Sequence, residues 1–404
     1  MNFYPELTGI GVYSYGFAEF LAENGYEVEV VTTFPYYPSW KRADGYPRHL
    51  YYHERIGTLS VHRCATYVPS IPTPIRRILH ESIFAILAFF KMVFVRKPDL
   101  LICVSPPFAG MIAAAVVSRL RSIPLHLHIQ DLQPDAAIEL GMLKGKMLVR
   151  ILHALERFCY RSASLVSGIG ETMLVRMHER VDDSRKLFLF RNWTTLNSVD
   201  RPIQHSFRDR HGLKGRFIVL YSGSMGEKQG LETLLECAAI AQSKRGELVF
   251  VLVGDGGRRI ELEQKTAQLQ LQNVLFFDTQ LKEDFEDLLR SADVSVLLQR
   301  KEVNELVVPS KLINMLAVGS PVVASVDRKS ETATILANLS IDVIVESGNP
   351  DALYEKICYL RESKDDCARL RSEEPLLADR LFGRENILKE ILKRIESVVG
   401  NDDK

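Results

Sequence analysis

Short apolar runs alternate with longer amphipathic stretches along almost the whole chain, the pattern of parallel α/β sheets. Strand candidates in the first half are Glu27–Thr32, Asp99–Val104, Pro124–Ile129 and Ser164–Ser167. In the second half they are Phe217–Tyr221, Leu248–Val253, Val274–Phe277, Val294–Leu298, Pro321–Ala324 and Val343–Val345. Helical spacing fills the intervals, as at Val12–Asn24, Lys146–Arg161, Leu231–Gln242 and Arg258–Leu269. The polar, poorly periodic stretch Asn197–Lys214 reads as a linker, after which Phe217–Tyr221 restarts the alternation. A chain of 404 residues is long enough for two such cores. The expected domains are 1–196 and 197–380, followed by a closing helix at 381–404. That helix carries Ile387, Leu388, Ile391, Leu392, Ile395 and Val398 as one apolar stripe.

The opening is unusual. Pro5-Glu6-Leu7-Thr8-Gly9-Ile10-Gly11 reads as a glycine turn entering a helix, which normally follows a buried strand. Only Met1–Tyr4 precede it, fewer than an ordinary strand needs. The expectation is a first domain without its first strand, from a chain that starts just after it or a domain that begins differently.

Bulk properties narrow the function. Lys+Arg and Asp+Glu are equal at 51 each, so no overall field favours a nucleic acid. The six cysteines are scattered, without the clustered ligands of structural zinc. No secretory signal is visible, and the most apolar run, Ile83–Val95, is short and interrupted by Lys91. Arg76, Arg77, Arg96 and Lys97 flank it, so the alternatives are an ordinary buried helix, the favoured reading, or one lying on an anionic membrane. The protein is expected to be cytosolic, soluble or peripheral on the inner membrane.

Two glycine turns in the second half suggest phosphate recognition. The first runs Tyr221-Ser222-Gly223-Ser224-Met225-Gly226-Glu227-Lys228-Gln229-Gly230, and the second Val253-Gly254-Asp255-Gly256-Gly257-Arg258. Each lies between a strand and a helix, where backbone N–H groups and the helix start favour an anion. Neither has Walker spacing or a full dinucleotide fingerprint, so an ATPase or nicotinamide enzyme has little support. Alone, each turn is as easily structural. A third feature, Pro309-Ser310-Lys311-Leu312 through Gly319, places Pro309 in the first turn of a helix, with Ser310 and Lys311 at its start. A lysine there can neutralise a leaving diphosphate; the plain alternative is a solvated lysine. In the first half, His126, His128, Gln130, Asp131 and Asp135 gather where Pro124–Ile129 ends, the usual ligand edge of a parallel sheet. Alternation sends His126, His128 and Gln130 to one side. A strand histidine is more often a core residue, and Asp131 could equally cap the next helix.

Together these segments resemble the retaining glycosyltransferases of family 4, and within them the exopolysaccharide (colanic acid type) enzymes. The strings that carry the resemblance are Pro5–Gly11, Pro35-Tyr36-Tyr37-Pro38, His128-Ile129-Gln130-Asp131, Arg191-Asn192-Trp193, Gly226–Glu232 and Pro309–Leu312. The resemblance implies GT-B architecture: two Rossmann-like domains facing across a cleft that closes, with the last helix crossing back to the first domain. It also implies a UDP- or GDP-sugar donor, no metal or other cofactor, and a lipid-linked glycan acceptor in bacterial surface-polysaccharide assembly. Gln130, Asp131 and Lys311 take the catalytic positions. Thr8, Gly9, Ser224, Lys228, Gln229, Gly254, Asp255, Gly256, Glu305, Pro309, Ser310 and Asn314 take the donor-binding ones. The sequence departs from the family where Ser224 and Gln229 replace an Arg and a Lys in the first turn. Lys228 lies one residue off, and Lys311 is the candidate to supply that charge. Of the family's paired glutamates, the second falls on Asn314 and the first near Leu306, beside Glu305. The family's first-domain histidine aligns nearest Gln130, less well His128. Two rival readings stand beside the transferase: a nucleotide-sugar epimerase of the same fold, and a non-catalytic subunit of a polysaccharide-assembly complex.

Overall fold

The computed structural model describes residues 1–6, 9–139, 145–196, 207–245, 247–280, 282–301 and 308–400. The chain forms two compact units, Met1–Asn192 with Glu385–Lys404, and Trp193–Arg384.

The first unit begins with α1 (Ile10–Glu23), β1 (Glu29–Thr33) and a hairpin of β2 (Tyr51–Ile56) and β3 (Leu59–Cys64). β3 pairs parallel with β1 and antiparallel with β2, giving a sheet of order β1-β3-β2. Next come α2 (Pro74–Phe94), β4 (Leu101–Ser105), α3 (Phe108–Arg121), β5 (Leu125–Ile129), α4 (Gln133–Glu139) and α5 (Lys146–Ser162). β6 (Leu165–Gly168), α6 (Glu171–His178) and β7 (Leu187–Leu189) complete a second, wholly parallel sheet of order β4-β5-β6-β7. Met1–Phe3 form no strand, but the segment lies along β1, where the Met1 carbonyl accepts from Thr33 N–H at 3.3 Å and Thr33 Oγ1 at 3.0 Å.

The opening motif is tied to the next one by a single carboxylate. Glu6 is buried; its Oε1 accepts the N–H groups of Tyr36 and Tyr37, and its Oε2 accepts from Asn2. A Cβ at Gly11 would meet the Glu6 carbonyl oxygen at 2.3 Å, so α1 can start against this turn only with glycine there.

The apolar run expected as a buried helix is buried along one face only. α2 packs on α3 and on the β1–β3 sheet, where its buried Phe84 and Ala88 meet Cys64 and Val31, while Ile75, Leu79, Ile86 and Phe90, at spacings of four and seven, stay exposed. Phe94 is 82% exposed at its end. Among the described residues no helix is long and apolar enough to cross a membrane.

The second unit is a regular doubly wound domain. After α7 (Phe207–Arg210), β8 (Phe217–Ser222), α8 (Glu232–Ser243), β9 (Leu248–Val253), α9 (Arg259–Gln268) and β10 (Val274–Phe277) build one wing. α10 (Lys282–Arg290), β11 (Val294–Leu298), α11 (Ser310–Ala317), β12 (Val322–Ser325), α12 (Glu331–Leu336) and β13 (Ile344–Val345) build the other. The parallel sheet has order β10-β9-β8-β11-β12-β13, so the winding reverses between β8 and β11. α13 (Pro350–Glu362) and α14 (Lys364–Phe382) follow, and α14 clamps α11. Within α14, fully buried Glu374 accepts Val322 N–H at 2.9 Å, and burial holds its carboxyl well above the usual carboxylate range.

Part of the expected linker belongs to this core. Residues 197–206 lie outside the described ones, but Phe207 and Leu213 are buried, and Arg208 bonds the Asp293 carboxylate at 2.6 Å and the Ser291 carbonyl at 2.8 Å. The apolar pair is too widely spaced in a polar stretch to show as periodicity.

The closing helix α15 (Arg384–Val399) buries Leu388, Ile391 and Ile395. Tyr26 donates to Glu396 at 3.2 Å, and Arg394 sits 5.0 Å from the Phe188 ring centre, both contacts within the first unit. The six cysteines form no disulfide, and burial pushes the thiols of Cys64 and Cys159 up to about 12.

Candidate active site

In the second unit the two glycine turns are one structure. Gly223 N–H donates to the Val253 carbonyl at 2.9 Å, Met225 N–H to Asp255 at 2.8 Å, and Arg258 N–H to Met225 at 2.9 Å. A Cβ at Gly254 would lie 2.0 Å from the Gly223 carbonyl oxygen, and one at Gly256 would lie 2.5 Å from that of Met225. Their φ angles, +140° and +156°, also suit glycine. The sequence suggests that these glycines let a ligand approach; the backbone that approaches them is the first turn. Exposed Asp255 accepts Gly256 N–H at 2.7 Å.

Lys311 reaches this double turn from across the winding reversal. Pro309 takes the N-cap position, just ahead of the first helical turn in which it was expected. Exposed Ser310 and half-buried Lys311 then begin α11. Lys311 Nζ donates to the Tyr221 hydroxyl at 3.4 Å and lies 4.7 Å from that ring's centre. It is 4.0 Å from where a Gly223 Cβ would be, so the third motif meets the first. Tyr221 donates in turn to the Ser224 carbonyl at 2.6 Å, and burial pushes its phenol up.

The remaining candidates in this unit are dispersed around that centre. Ser224 and Lys228 are exposed, and the Lys228 carbonyl accepts Arg300 N–H at 3.0 Å. Gln229 spends its side-chain oxygen on Gly226 N–H at 3.1 Å. Asn314 is half-buried one turn into α11. Glu305, and Leu306 beside it, lie outside the described residues, as does Thr8 in the first unit. Gly9 has φ +52° immediately before α1.

Sequence reasoning missed two cations here. Arg258 and Arg300 converge on Glu227 and Glu232, with Arg258 Nη2 2.6 Å and Arg300 Nη2 3.3 Å from Glu232 Oε1. Burial works to raise the Glu232 carboxyl, but its own N–H and the two guanidinium groups bring it below its ordinary value. No local signal marks Arg300, because only the β8–β11 pairing brings it beside the first turn.

In the first unit the residues at the end of β5 form a buried hydrogen-bonded line. Ser167 Oγ on β6 lies 2.8 Å from His126 Nε2 and 2.9 Å from His128 Nδ1. His128 Nε2 lies 3.0 Å from the Gln130 amide, which exchanges two 2.9 Å bonds with the amide of Asn192. The three β5 side chains share a side, as alternation requires. Burial pulls His126 down to about 3, and His128 is pulled down by the same cause, so both rings are neutral near pH 7. Asp131 follows, exposed. Asp135 is taken up by a two-pronged bond from Arg180, at 2.7 and 2.8 Å, and serves to hold α4. Among the described residues, no group of three or more His, Cys, Asp or Glu is placed to hold a metal ion.

Known proteins are similar in sequence and in architecture. A glycosyl transferase 4-like domain matches residues 8–193, and the domain of glycosyl transferases group 1 matches residues 204–375. WcaI of Escherichia coli (strain K12), a glycosyl transferase named for colanic acid biosynthesis, is 33% identical over 411 residues, 98% of each chain. The glycosyltransferase WbjE of Pseudomonas aeruginosa is 27% identical over 244 residues, 58% of this chain and 60% of that one. Sucrose-phosphate synthase from Thermosynechococcus elongatus superposes with a TM-score of 0.72 at 18% identity, over 98% of this chain and 94% of that one. Anabaena HepE, solved in complex with UDP-glucose, gives 0.64 at 18% identity, over 83% and 86%. With two Rossmann-like units matched end to end, the chain belongs to the family 4 glycosyltransferases of GT-B fold and is a relative of the colanic acid biosynthesis enzymes.

Proposed function

We propose that this glycosyltransferase moves a sugar, with retention of anomeric configuration, from a UDP- or GDP-sugar to a lipid-linked oligosaccharide during bacterial exopolysaccharide assembly. The observation that carries the donor reading is the meeting of Lys311, the Tyr221 hydroxyl and the Gly223 turn at the reversal between β8 and β11. There Lys311, the exposed Ser310 end of α11 and Lys228 take the diphosphate, with Gly254–Gly256, Asp255 and Asn314 toward base and ribose. Charge neutralisation comes from the protein, without a metal. Gln130 and Asp131 serve the transferred sugar and the acceptor. HepE, of the same fold, holds UDP-glucose, which supports a nucleotide-sugar donor here.

Work at the cytoplasmic face of the inner membrane accords with the outer face of α2. There Ile75, Leu79, Ile86, Phe90 and Phe94 are exposed beside Arg76, Arg77 and Arg96. α5 packs on the same helix α3 and exposes Met147, Leu148 and Ile151 among Lys146 and Arg150.

Calorimetric titration with UDP and GDP tests the donor site, and EDTA tests the independence from metal. One nucleotide should bind with micromolar affinity whether or not EDTA is present. A folded sample that binds neither would favour a non-catalytic subunit. Radiolabelled donor without acceptor should stay unconverted, whereas an epimerase would change the sugar.

A further inference from the structure

The line His126–Ser167–His128–Gln130–Asn192 has a direction, and the direction fixes what Gln130 offers a ligand. His126 and Ser167 are 0% exposed, His128 4% and Gln130 7%. His126 Nδ1 has no hydrogen-bond partner among the described residues. A half-turn of each terminal amide exchanges its N and O without altering the heavy-atom distances, so proton balance decides the arrangement.

Each neutral histidine carries one ring proton and Ser167 carries one hydroxyl proton, which leaves four tautomer pairs. The pair His126 Nδ1–H with His128 Nε2–H is the poorest, since it gives Ser167 two acceptors for one proton and leaves His126 Nδ1–H without an acceptor. Three arrangements remain to compare. In the first, Gln130 donates to His128 Nε2, His128 Nδ1–H donates to Ser167, and Ser167 donates to His126 Nε2. That leaves His126 Nδ1–H buried with no acceptor. In the second, both rings donate to Ser167, and its own hydroxyl proton has no acceptor. In the third, His126 Nε2–H donates to Ser167, Ser167 donates to His128 Nδ1, and His128 Nε2–H donates to the Gln130 amide oxygen. Among the fully buried groups only a bare acceptor, His126 Nδ1, is then left over, and the spare hydrogen passes from His126, 0% exposed, to Gln130 at the 7% exposed end of the line. Buried hydrogens without acceptors are the rarer and costlier defect.

We infer that the third arrangement holds and that it makes Gln130 a hydrogen-bond donor toward the substrate. The Gln130 oxygen accepts from His128 and from Asn192, one of its N–H groups goes to the Asn192 oxygen, and the second N–H is the amide's only uncommitted group. At the carboxyl end of β5 it selects for a sugar oxygen with a lone pair, a hydroxyl or the ring oxygen. His126, Ser167 and His128 are positioning residues that fix this polarity. The part about the ligand rests on the reading that Gln130 serves the sugar; the tautomers do not.

Two measurements on the full chain test the inference. Nitrogen-15 spectra of histidine-labelled protein, assigned with His126→Phe and His128→Phe, should show His126 and His128 as neutral Nε2–H tautomers between pH 6 and 8. An Nδ1–H signal for either ring overturns the arrangement. Gln130→Glu keeps acceptors for His128 and Asn192 but has no N–H to present. It should melt lower than wild type, because the Asn192 oxygen loses its donor and a carboxylate is buried, yet keep nucleotide affinity. It should also lose at least about 100-fold in hydrolysis of whichever UDP- or GDP-sugar the titrations select. Near-normal hydrolysis by this variant overturns the donor role. Should neither nucleotide bind the wild type, the donor-site reading fails while the tautomer spectra still decide the line. Ser167→Ala separates positioning from packing: it should raise KM for the nucleotide sugar about 10-fold and release the His128 tautomer, with UDP affinity unchanged. A Ser167→Ala protein with both Nε2–H tautomers and unchanged KM would overturn the positioning role.

Discussion

The double glycine turn and the end of β5 are both carboxyl ends of parallel strands, yet they are made from different material. At the turn, recognition surface comes from main chain: Gly223, Gly254 and Gly256 stack backbone on backbone, and Lys311 reaches over them. Beyond β5 it comes from side chains locked to one another, with buried neutral histidines behind a glutamine. A main-chain site would tolerate change at side chains such as Ser224 and Gln229, because the N–H groups remain. A side-chain site changes its offer to the ligand with a single residue. On the proposed reading, the tolerant region is the one that takes the common diphosphate, and the specific region is the one that meets the variable sugar.

The largest effect that would test this contrast is expected from Gly254→Ala. Its Cβ cannot fit 2.0 Å from the Gly223 carbonyl oxygen, so both turns must separate. Nucleotide affinity should fall by more than about 100-fold, or about 3 kcal/mol, with a lower melting temperature. Gly257→Ala, with no heavy atom within 4 Å, should behave as wild type. Equal affinities for the two variants would show that the stacking is irrelevant. Next, Lys311→Ala should weaken UDP or GDP binding by about 10- to 100-fold while the protein melts as before. Unchanged affinity and turnover would remove Lys311 from the site. Asn192→Ala should lower turnover about 10-fold and leave nucleotide affinity intact, since it breaks only the amide pair beyond β5. A loss of nucleotide affinity there would erase the division between the regions.

The smallest effect concerns pH. His126 falls from 6.5 to about 3 on folding, so between those values the unfolded chain binds more protons than the folded one. Stability is therefore full above pH 6.5 and declines as pH falls, by about 1.4 kcal/mol per unit for a fully shifted histidine. Melting temperatures from pH 7 to pH 5 should fall more steeply for wild type than for His126→Phe. Parallel curves would mean that His126 is not buried as a neutral ring.

Most of the second unit was legible in the sequence because its strands, such as Leu248–Val253 and Val294–Leu298, are buried on both faces and read as unbroken apolar runs. The β2–β3 hairpin was not. β2 is the polar edge strand Tyr-Tyr-His-Glu-Arg-Ile, alternately exposed and half-buried, and nothing apolar announces it. Lys311 was legible from its place at a helix start after Pro309. Its partner Tyr221 was not, because their contact spans 90 residues. The same reason hid Ser167 and Asn192, which meet β5 only through the sheet and the chain's return after β7. The exposed face of α2 was misread because apolar periodicity reports a helix without saying how much of its circumference neighbours will cover.

The split of the first unit into Met1–Asn192 and Glu385–Lys404 has a consequence for biogenesis. The unit synthesised second, Trp193–Arg384, is an uninterrupted span and has all its strands before α15 is made. The first-made unit must wait for the last-made helix to cover it with Leu388, Ile391 and Ile395. Throughout translation the apolar surface beneath that helix is unshielded, so the half that emerges first carries the longer exposure to aggregation. Shortening the protein from its C-terminus would therefore damage the N-terminal half.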